Sequence, residues 1–420
     1  MRYRWENTTS ATQTAGTRIH YLDNIRSIII VFVVFFHAIL SYVQNGTWWY
    51  VNDPPAIPYS FFFIVFLEPI MMPVLFLIAG LLAWPSYDRK GARRFLKGKV
   101  DRLIIPFFLG TVFFSPIMPF IRQSLRAHGS GKEPAGFWPF WLDFLKGGTK
   151  ILSGSASIST DIVVNQYWFL MVLFLFFAAF SLYAQWRGRK NKNQRDIVSN
   201  PPKSRKTLMG RITVFTFIIG FVYMVLCLFI EGNTWVTFGG LWQFQPAKIH
   251  IYLGFFLAGV YIERRDLLPK ILNIARPVVW FTTVMLATAA YFTTVIKTAG
   301  VPDAALSLVI ASRFLRLFLL VSVILWLIGL FQRRIDTNTT LWRELASHSY
   351  NIYLIHMVPL VVFQWLALSA SVPSLIKFGA ISLMSLGVSY LISRFLVKKS
   401  STATVLALIA LFIAMCLVFS

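Results

Sequence analysis

Long apolar runs separated by short polar segments make up most of the chain. A membrane-spanning helix needs about 20 mostly apolar residues, and eleven segments meet or approach that length. These candidate spans are residues 25–44, 61–84, 103–121, 167–186, 212–230, 248–262, 278–296, 306–331, 349–369, 374–393 and 403–419. The pattern predicts an all-α fold, a polytopic membrane helical bundle of about 11 transmembrane helices. The sixth span is short, and the eighth contains two arginines.

The composition agrees with a membrane protein. Of the 420 residues, 57% are hydrophobic and only 13% are charged, whereas about a quarter of the residues of a soluble domain are charged. Cys227 and Cys416 both lie inside apolar runs, so we expect neither a disulfide framework nor a cysteine-based metal site. His37 and His356 lie on distant segments, and no set of metal ligands is convincing.

The charged residues predict an orientation in the membrane. The chain has 40 Lys and Arg against 16 Asp and Glu, and cytoplasmic loops collect Lys and Arg. With a cytoplasmic N-terminus, 29 of these 40 cations fall on the inside. We therefore predict a cytoplasmic tail (1–24), a membrane domain (25–395) and an additional C-terminal helix (403–419). The cations are dispersed and accompany no recognition motif, so we expect no nucleic-acid partner.

The first span carries two ionisable residues, Arg26 and His37. Eleven residues at about 100° each bring both to one face of a helix, about 16 Å apart along its axis. In one interpretation, Arg26 anchors an anionic cofactor from the inside and His37 acts as a general base at membrane depth. In the other, Arg26 is a positive-inside anchor and His37 is a hydrogen-bonded packing residue.

Lys99 and Arg102 lie at the predicted cytoplasmic end of the third span. Residues three apart are neighbours on a helix, so the two cations could grip phosphate groups together. The positive-inside rule alone also predicts several cations here. The pair is therefore a candidate cofactor-binding site on weak evidence.

Three more charged residues fall within predicted spans. Glu68 could orient His37, pair with an arginine, or lie near the outer interface. Arg313 and Arg316 share a face of the eighth span and could recognise a substrate carboxylate. Alternatively, that span begins later and the arginines extend outward to the interface.

Two spans open with polar and aromatic groups that could contact a substrate. Tyr353 and His356 belong to the polar opening of the ninth span, which begins at Ser349. Trp168 opens the fourth span with groups that are also typical of an interfacial aromatic belt.

Several of these segments together resemble the acyltransferase-3 family of integral membrane O-acyltransferases. The resemblance covers roughly residues 19–395 and rests on the order and spacing of degenerate blocks. The blocks are Tyr21-Leu-Asp-Asn24 with Arg26 and His37, Met72-Pro-Val-Leu-Phe-Leu-Ile-Ala-Gly80, Arg102-Leu-Ile-Ile-Pro106, Trp168-Phe-Leu170 and Ser349-Tyr-Asn-Ile-Tyr-Leu-Ile-His356.

The resemblance implies a ten-helix core in the plasma (inner) membrane. Such a protein takes an acyl group, acetyl or succinyl, from cytoplasmic acyl-CoA and passes it to a hydroxyl of a carbohydrate or glycan at the outer face. Acyl-CoA is then a co-substrate, and no permanently bound cofactor is expected. By the same resemblance, His37 would be the catalytic base and Arg26 would support the site or the cofactor. Arg102 would contact phosphates of coenzyme A. The family has paired arginines where this chain has Lys99 and Arg102, which puts bidentate contact at position 99 in doubt.

A transporter or flippase of an anionic substrate is the alternative function. Intramembrane Arg, Glu and His residues also mark translocation paths. Transporters commonly contain internal repeats with matching broken helices, and the sequence shows no such halves.

Overall fold

A computed structural model describes residues 19–44, 49–133, 136–152, 164–190, 204–238, 242–301 and 305–397. The predicted tail up to residue 18 and the predicted eleventh span (403–419) lie outside these residues. The α-helices are α1 (His20–Ile39), α2 (Ser60–Leu81), α3 (Ala83–Lys99), α4 (Ile105–Leu109), α5 (Ile117–Gly129), α6 (Phe137–Leu152), α7 (Trp168–Lys190), α8 (Arg205–Phe229), α9 (Pro246–Arg264), α10 (Leu268–Ile274), α11 (Pro277–Thr298), α12 (Leu306–Arg334), α13 (Thr340–Ile355), α14 (Met357–Leu366) and α15 (Ser374–Ile392).

The helices confirm the prediction of an all-α, polytopic membrane bundle. Within the described residues, eight helical segments are long and apolar enough to cross a membrane, and the bent pair α13–α14 makes a ninth. The sixth predicted span coincides with α9, which carries Lys248 and His250 in its first turn and is not among those nine. Each of the first ten predicted spans falls on helix.

Apolar side chains cover much of the outside of the bundle. Helix α8 has few buried residues, and Val214, Phe217 and Phe229 are each more than half exposed. In water such a face would be costly, whereas lipid tails solvate it. The chain is therefore an integral multi-pass membrane protein.

The segment Ala83–Gly129 is more helical than the sequence predicted. We expected a cytoplasmic loop over 85–102, but α3 occupies most of it, with a kink at Gly91, whose φ is +69°. Arg and Lys are good helix formers, so a basic segment next to a membrane continues the helix readily. Two π-helical turns, Val100–Ile104 and Gly110–Phe114, flank α4.

The ninth predicted span (349–369) is broken rather than continuous. Helices α13 and α14 meet at His356 with a bend of 63°. Pro359 lies in the first turn of α14, and a proline has no N–H to donate to the carbonyl four residues earlier, here that of Ile355. The proline thus gives a local reason for the break.

Helix α1 lies at the centre of the bundle. It packs against α2, α12, α13, α14 and α15, and its buried face includes Ile25, Ile29 and Val33. Near its N-terminus, the buried Asn24 donates hydrogen bonds to the carbonyls of Ile335 (2.8 Å) and Thr337 (3.1 Å). These contacts hold α1 against the connection between α12 and α13.

Two features occupy regions that the sequence assigned to connections. Helix α6 lies within the predicted outer loop 122–166, where Trp141 donates to the carbonyl of Val112 (2.9 Å). A short antiparallel hairpin, β1 (Val236–Phe238) with β2 (Trp242–Phe244), pairs Thr237 with Gln243. It is the only sheet in the described part of the chain, and the sequence pattern did not predict it.

Helices α2 and α9 approach closely at two glycines. A Cβ on Gly80 would overlap the carbonyl oxygen of Phe256, and a Cβ on Gly259 would overlap that of Leu77. Both obstacles are backbone atoms and cannot swing aside, so the crossing requires glycine.

We expect Gly80→Ala and Gly259→Ala each to lower the melting temperature in detergent. Overpacking of this kind costs about 1–3 kcal/mol, equivalent to several degrees. Gly387→Ala is the control, because a Cβ there meets nothing within 4 Å and alanine is the better helix former. If all three variants melted alike, the close approach of α2 and α9 would be wrong.

Candidate active site

Arg26 and His37 are presented by one uninterrupted helix. Helix α1 runs from His20 to Ile39, so the two side chains share a face about 16 Å apart along the axis. The guanidinium of Arg26 donates to the carbonyl of Ala346 (3.1 Å) and pairs with Asp23 (3.0 Å). Arg26 is therefore held in place by α13 and by its own helix.

A cavity of about 1160 Å³ opens beside the Arg26 end of α1. Arg26, Lys99 and Arg102 all line it, so the structure brings together the three cations that the sequence placed at the inner mouth. The side-chain nitrogen of Lys99 lies 3.5 Å from the centre of the Phe177 ring. Positive charge is thus concentrated at one end of the cavity.

The cavity becomes mostly apolar away from these cations. It extends past Ile30 of α1 to Val358 and Pro359, which follow His356 in the chain. Tyr353 also lines it and donates a hydrogen bond to the carbonyl of Gln166. The cavity thus has basic residues and apolar walls, and its lining includes residues next to His356 in the chain but neither His37 nor His356.

The imidazoles of His37 and His356 are in direct contact. Nε2 of His356 lies 3.2 Å from Nδ1 of His37, although 319 residues separate them. No motif predicted this contact between distant segments, which arises because α13 ends beside α1. His356 is fully buried and His37 is partly exposed. Within the described residues no third His, Cys, Asp or Glu joins them to form a metal-binding group.

The ring of Trp49 packs on the ring of His37. The two rings are stacked with centroids 5.9 Å apart and an interplanar angle of 25°. The indole of Trp49 donates to the side-chain carbonyl of Gln364 (3.0 Å), whose amide nitrogen donates to the carbonyl of Ala38 (3.1 Å). Gln364 of α14 therefore fixes the tryptophan against α1.

The connection between α1 and α2 is anchored around this tryptophan. Asp53 and Lys377 form a buried ion pair, with distances of 3.0 and 3.1 Å. Tyr50 donates to the side chain of Asn165, and burial raises the pKa of its hydroxyl, so it remains a donor. These bonds tie the connection to α15 and to the start of α7.

A second polar cluster lies between α2, α9 and α12. Glu68 pairs with Arg316 and with Lys248, whose ammonium is 2.6 Å from the carboxylate. Lys248 also donates to the side chain of Asn233 (2.9 Å), and Arg316 lies 3.5 Å from the hydroxyl of Tyr291. Lys248 is almost completely buried. Of the three alternatives for Glu68, pairing with an arginine is the one found.

Arg313 adds a third cation to this cluster. The guanidinium groups of Arg313 and Arg316 each lie 5.6 Å from the centre of the Tyr223 ring. Nε of Arg313 is buried and has no hydrogen-bond partner in the described structure, and none of the described carboxylates forms an ion pair with it. The cluster therefore holds more positive than negative charge.

Aromatic rings separate this cluster from the large cavity. Tyr252 lines a small pocket beside Glu68, and its ring stacks on Phe76 with centroids 5.2 Å apart. Phe76 in turn contacts Phe169 (4.8 Å), which lines the large cavity. Trp168 packs on Tyr252 at 5.4 Å, so the predicted substrate contact of Trp168 is part of this aromatic layer.

The structure thus sorts the predicted site residues into two groups. Arg26, Lys99, Arg102 and Tyr353 line the cavity, and His37 and His356 contact each other outside its lining. Around the ion-pair cluster lie Glu68, Arg313, Arg316 and, at its edge, Trp168. No described hydrogen bond joins Glu68 to His37. The catalytic role predicted for Glu68 is therefore supported by no direct contact and stays a prediction.

Sequence reasoning missed three residues of these sites. Lys248, the first residue of the sixth predicted span, was given no role, but it is buried against Glu68. A lysine at the start of an apolar helix, in a chain with an unpaired intramembrane glutamate, was the available signal. Trp49 and Gln364 gave no signal, because a tryptophan in a loop and a glutamine in a helix are common.

Comparison with known proteins identifies the family. A model described as an acyltransferase domain matches residues 19–394. The chain belongs to the acyltransferase-3 family. This confirms the resemblance drawn from the motifs, and the chain is a membrane acyltransferase.

The chain is only distantly similar in sequence to two curated relatives. The chain is 22% identical to "Glucans biosynthesis protein C" of Escherichia coli (strain K12) over 244 residues, 58% of this chain and 57% of that protein. The same figures hold for the protein of that name from Salmonella paratyphi A (strain ATCC 9150 / SARB42). The match thus spans less than two thirds of the relatives' length. No solved structure matches the chain.

Proposed function

We infer that the protein transfers an acyl group from cytoplasmic acyl-CoA to a hydroxyl of a carbohydrate at the opposite membrane face. The observation that carries this inference is a single cavity with Arg26, Lys99 and Arg102 at one end, alongside the helix that presents His37. The relatives named for glucans biosynthesis make a glucan the first acceptor to test. Their bacterial sources favour the inner membrane as its location.

The basic mouth suits the phosphates of coenzyme A. Three cations line it, and Asp101 is a carboxylate in the same lining, which leaves an excess of positive charge for an anionic ligand. Arg102 can contact phosphate oxygens with two N–H groups, whereas Lys99 offers a point charge. The apolar walls beyond suit the neutral pantetheine arm, which would carry the thioester from Arg26 towards His37.

The acyl transfer needs one base and no oxidant or reductant. The neutral imidazole of His37 takes the proton of the acceptor hydroxyl as its oxygen attacks the thioester carbon. The tetrahedral adduct then breaks its C–S bond, an ester remains, and the leaving thiolate takes the proton from the imidazolium. The base is therefore regenerated in each turnover.

The cation-rich cluster supports an acyl group that carries its own carboxylate. Arg316 and Lys248 pair with one carboxylate, Glu68, and Arg313 lies beside Arg316 over the Tyr223 ring. Surplus charge in an apolar bundle favours an anionic ligand. Succinyl offers such a carboxylate and acetyl does not. This cluster lies one aromatic layer from the cavity, at Phe76 and Tyr252.

His37→Ala is expected to abolish transfer from radiolabelled acyl-CoA to a glucan acceptor, because general-base catalysis contributes about 10² to 10⁴ in rate. The assay uses purified protein in liposomes and measures labelled glucan. His128→Ala is the control, since His128 lies exposed in α5. Transfer by the His37 variant at the wild-type rate would refute the proposed base. No thioester turnover by the wild type with any donor would refute the donor and favour transport.

Arg102→Ala is expected to raise KM for acyl-CoA about tenfold, as the loss of a charge-assisted phosphate contact implies, with a smaller change in kcat. Arg93→Ala, an exposed cation of the same basic segment, should leave KM unchanged. Equal KM values for wild type and the Arg102 variant would contradict a phosphate contact at this position.

Arg313→Gln is expected to lower succinyl transfer about tenfold and leave acetyl transfer unchanged, because only the succinyl group has a carboxylate to lose a contact. Arg313 is a better test than Arg316, whose removal would also strand Glu68. The ratio of the two kcat/KM values is the measurement. Equal losses with both donors would indicate a structural role and contradict carboxylate recognition.

A further inference from the structure

The hydrogen bonds of His356 determine which of its nitrogens carries a proton. Its Nδ1 lies 2.8 Å from the carbonyl oxygen of Tyr353 and 3.3 Å from that of Ile352. A carbonyl oxygen can only accept, so Nδ1 must donate and must carry the hydrogen. In a neutral ring, Nε2 of His356 is then an acceptor with a free lone pair.

The same reasoning assigns the proton of His37. Its Nδ1 lies 2.8 Å from the carbonyl oxygen of Val33 and 3.2 Å from Nε2 of His356. Both neighbours are acceptors, so Nδ1 of His37 donates and carries the hydrogen. Nε2 of His37 is consequently left unprotonated, which is the state a general base requires.

The carbonyl of Val33 belongs to the same helix as the His37 ring. It accepts from Nδ1 and so favours a hydrogen there, but it cannot tie the ring to another helix. His356 supplies an acceptor from a different helix, and its fixed direction orients the imidazole.

The break between α13 and α14 places this acceptor. His356 lies at the 63° bend, fully buried, with its Nδ1 bound to carbonyls of its own helix. Gln364, farther along α14, bonds to Trp49, which stacks on the His37 ring. The broken span thus contributes both His356 and the residue that holds Trp49.

We propose that His356 is a positioning residue that accepts a hydrogen bond from Nδ1–H of His37 and so leaves Nε2 of His37 as the base. This inference rests on the proposed function, in which His37 removes the proton of the acceptor hydroxyl. His356 takes no part in bond making, and its effect passes through the orientation and tautomer of His37.

Three variants separate positioning from packing. His356→Leu removes the acceptor and is expected to lower kcat about 10²-fold with KM for acyl-CoA unchanged. In His356→Gln the side-chain oxygen can replace Nε2 as acceptor, so kcat should recover at least tenfold relative to the Leu variant. His348→Leu is the matched control, because His348 is also a buried histidine of α13 but bonds to Ser393. It should keep kcat per folded protein within threefold.

Solid-state ¹⁵N spectra of histidine-labelled full-length protein in liposomes report the tautomer of His37 directly. They require no activity assay. The resonances of His37 are identified by their absence from the His37→Ala spectrum. In the wild type we expect Nδ1 of His37 to be protonated and Nε2 unprotonated. In His356→Leu we expect a mixture of the two tautomers.

The outcomes of these two experiments distinguish failure of the positioning role from failure of the proposed function. A wild-type His37 protonated at Nε2, or a His356→Leu variant with wild-type kcat, would overturn the positioning role even if His37 proved essential. Equal kcat for the Gln and Leu variants would also overturn it. Conversely, the spectra could be as expected while the His37→Ala enzyme stayed active. The tautomer assignment would then stand, and His37 would not be the base.

Discussion

Every polar group inside this bundle needs a partner, because neither lipid nor apolar side chains can replace the hydrogen bonds of water. The structure meets this requirement for several of these groups by joining elements far apart in the chain. His37 of α1 meets His356 at the α13–α14 bend, Glu68 of α2 meets Lys248 of α9 and Arg316 of α12, and Trp49 meets Gln364. The groups that the proposed chemistry uses are therefore also contacts that hold the helices together.

Helix α1 determines the distance between Arg26 and His37. It is buried on five sides by other helices and fixes Arg26 and His37 about 16 Å apart. The cavity beside it is lined by Arg26, Lys99 and Arg102 and by apolar side chains. In the proposed reaction, this arrangement would separate the place where the donor is held from the place where the acyl group is transferred.

The charge of the chain is divided between three roles. In the predicted orientation, most of the 40 Lys and Arg residues lie on the cytoplasmic side. Arg26, Lys99 and Arg102 gather at the cavity mouth. Lys248 and Arg316 pair with Glu68, and Arg313 lies beside Arg316 over Tyr223. This excess of positive charge distinguishes the second cluster from an ordinary buried ion pair, which is balanced.

Local sequence determined the helices and the spacing within each of them. Apolar length identified the ten spans that fall on described helices, and the helical period placed Arg26 and His37 on one face, because both properties depend only on neighbouring residues. Even the break at His356 had a local cause in Pro359. Only the tertiary structure decided that His356 touches His37, that Lys248 pairs with Glu68, and that Gln364 fixes Trp49. These partners lie 180 to 319 residues apart, and no helical period relates them, so their meeting depends on how the helices pack.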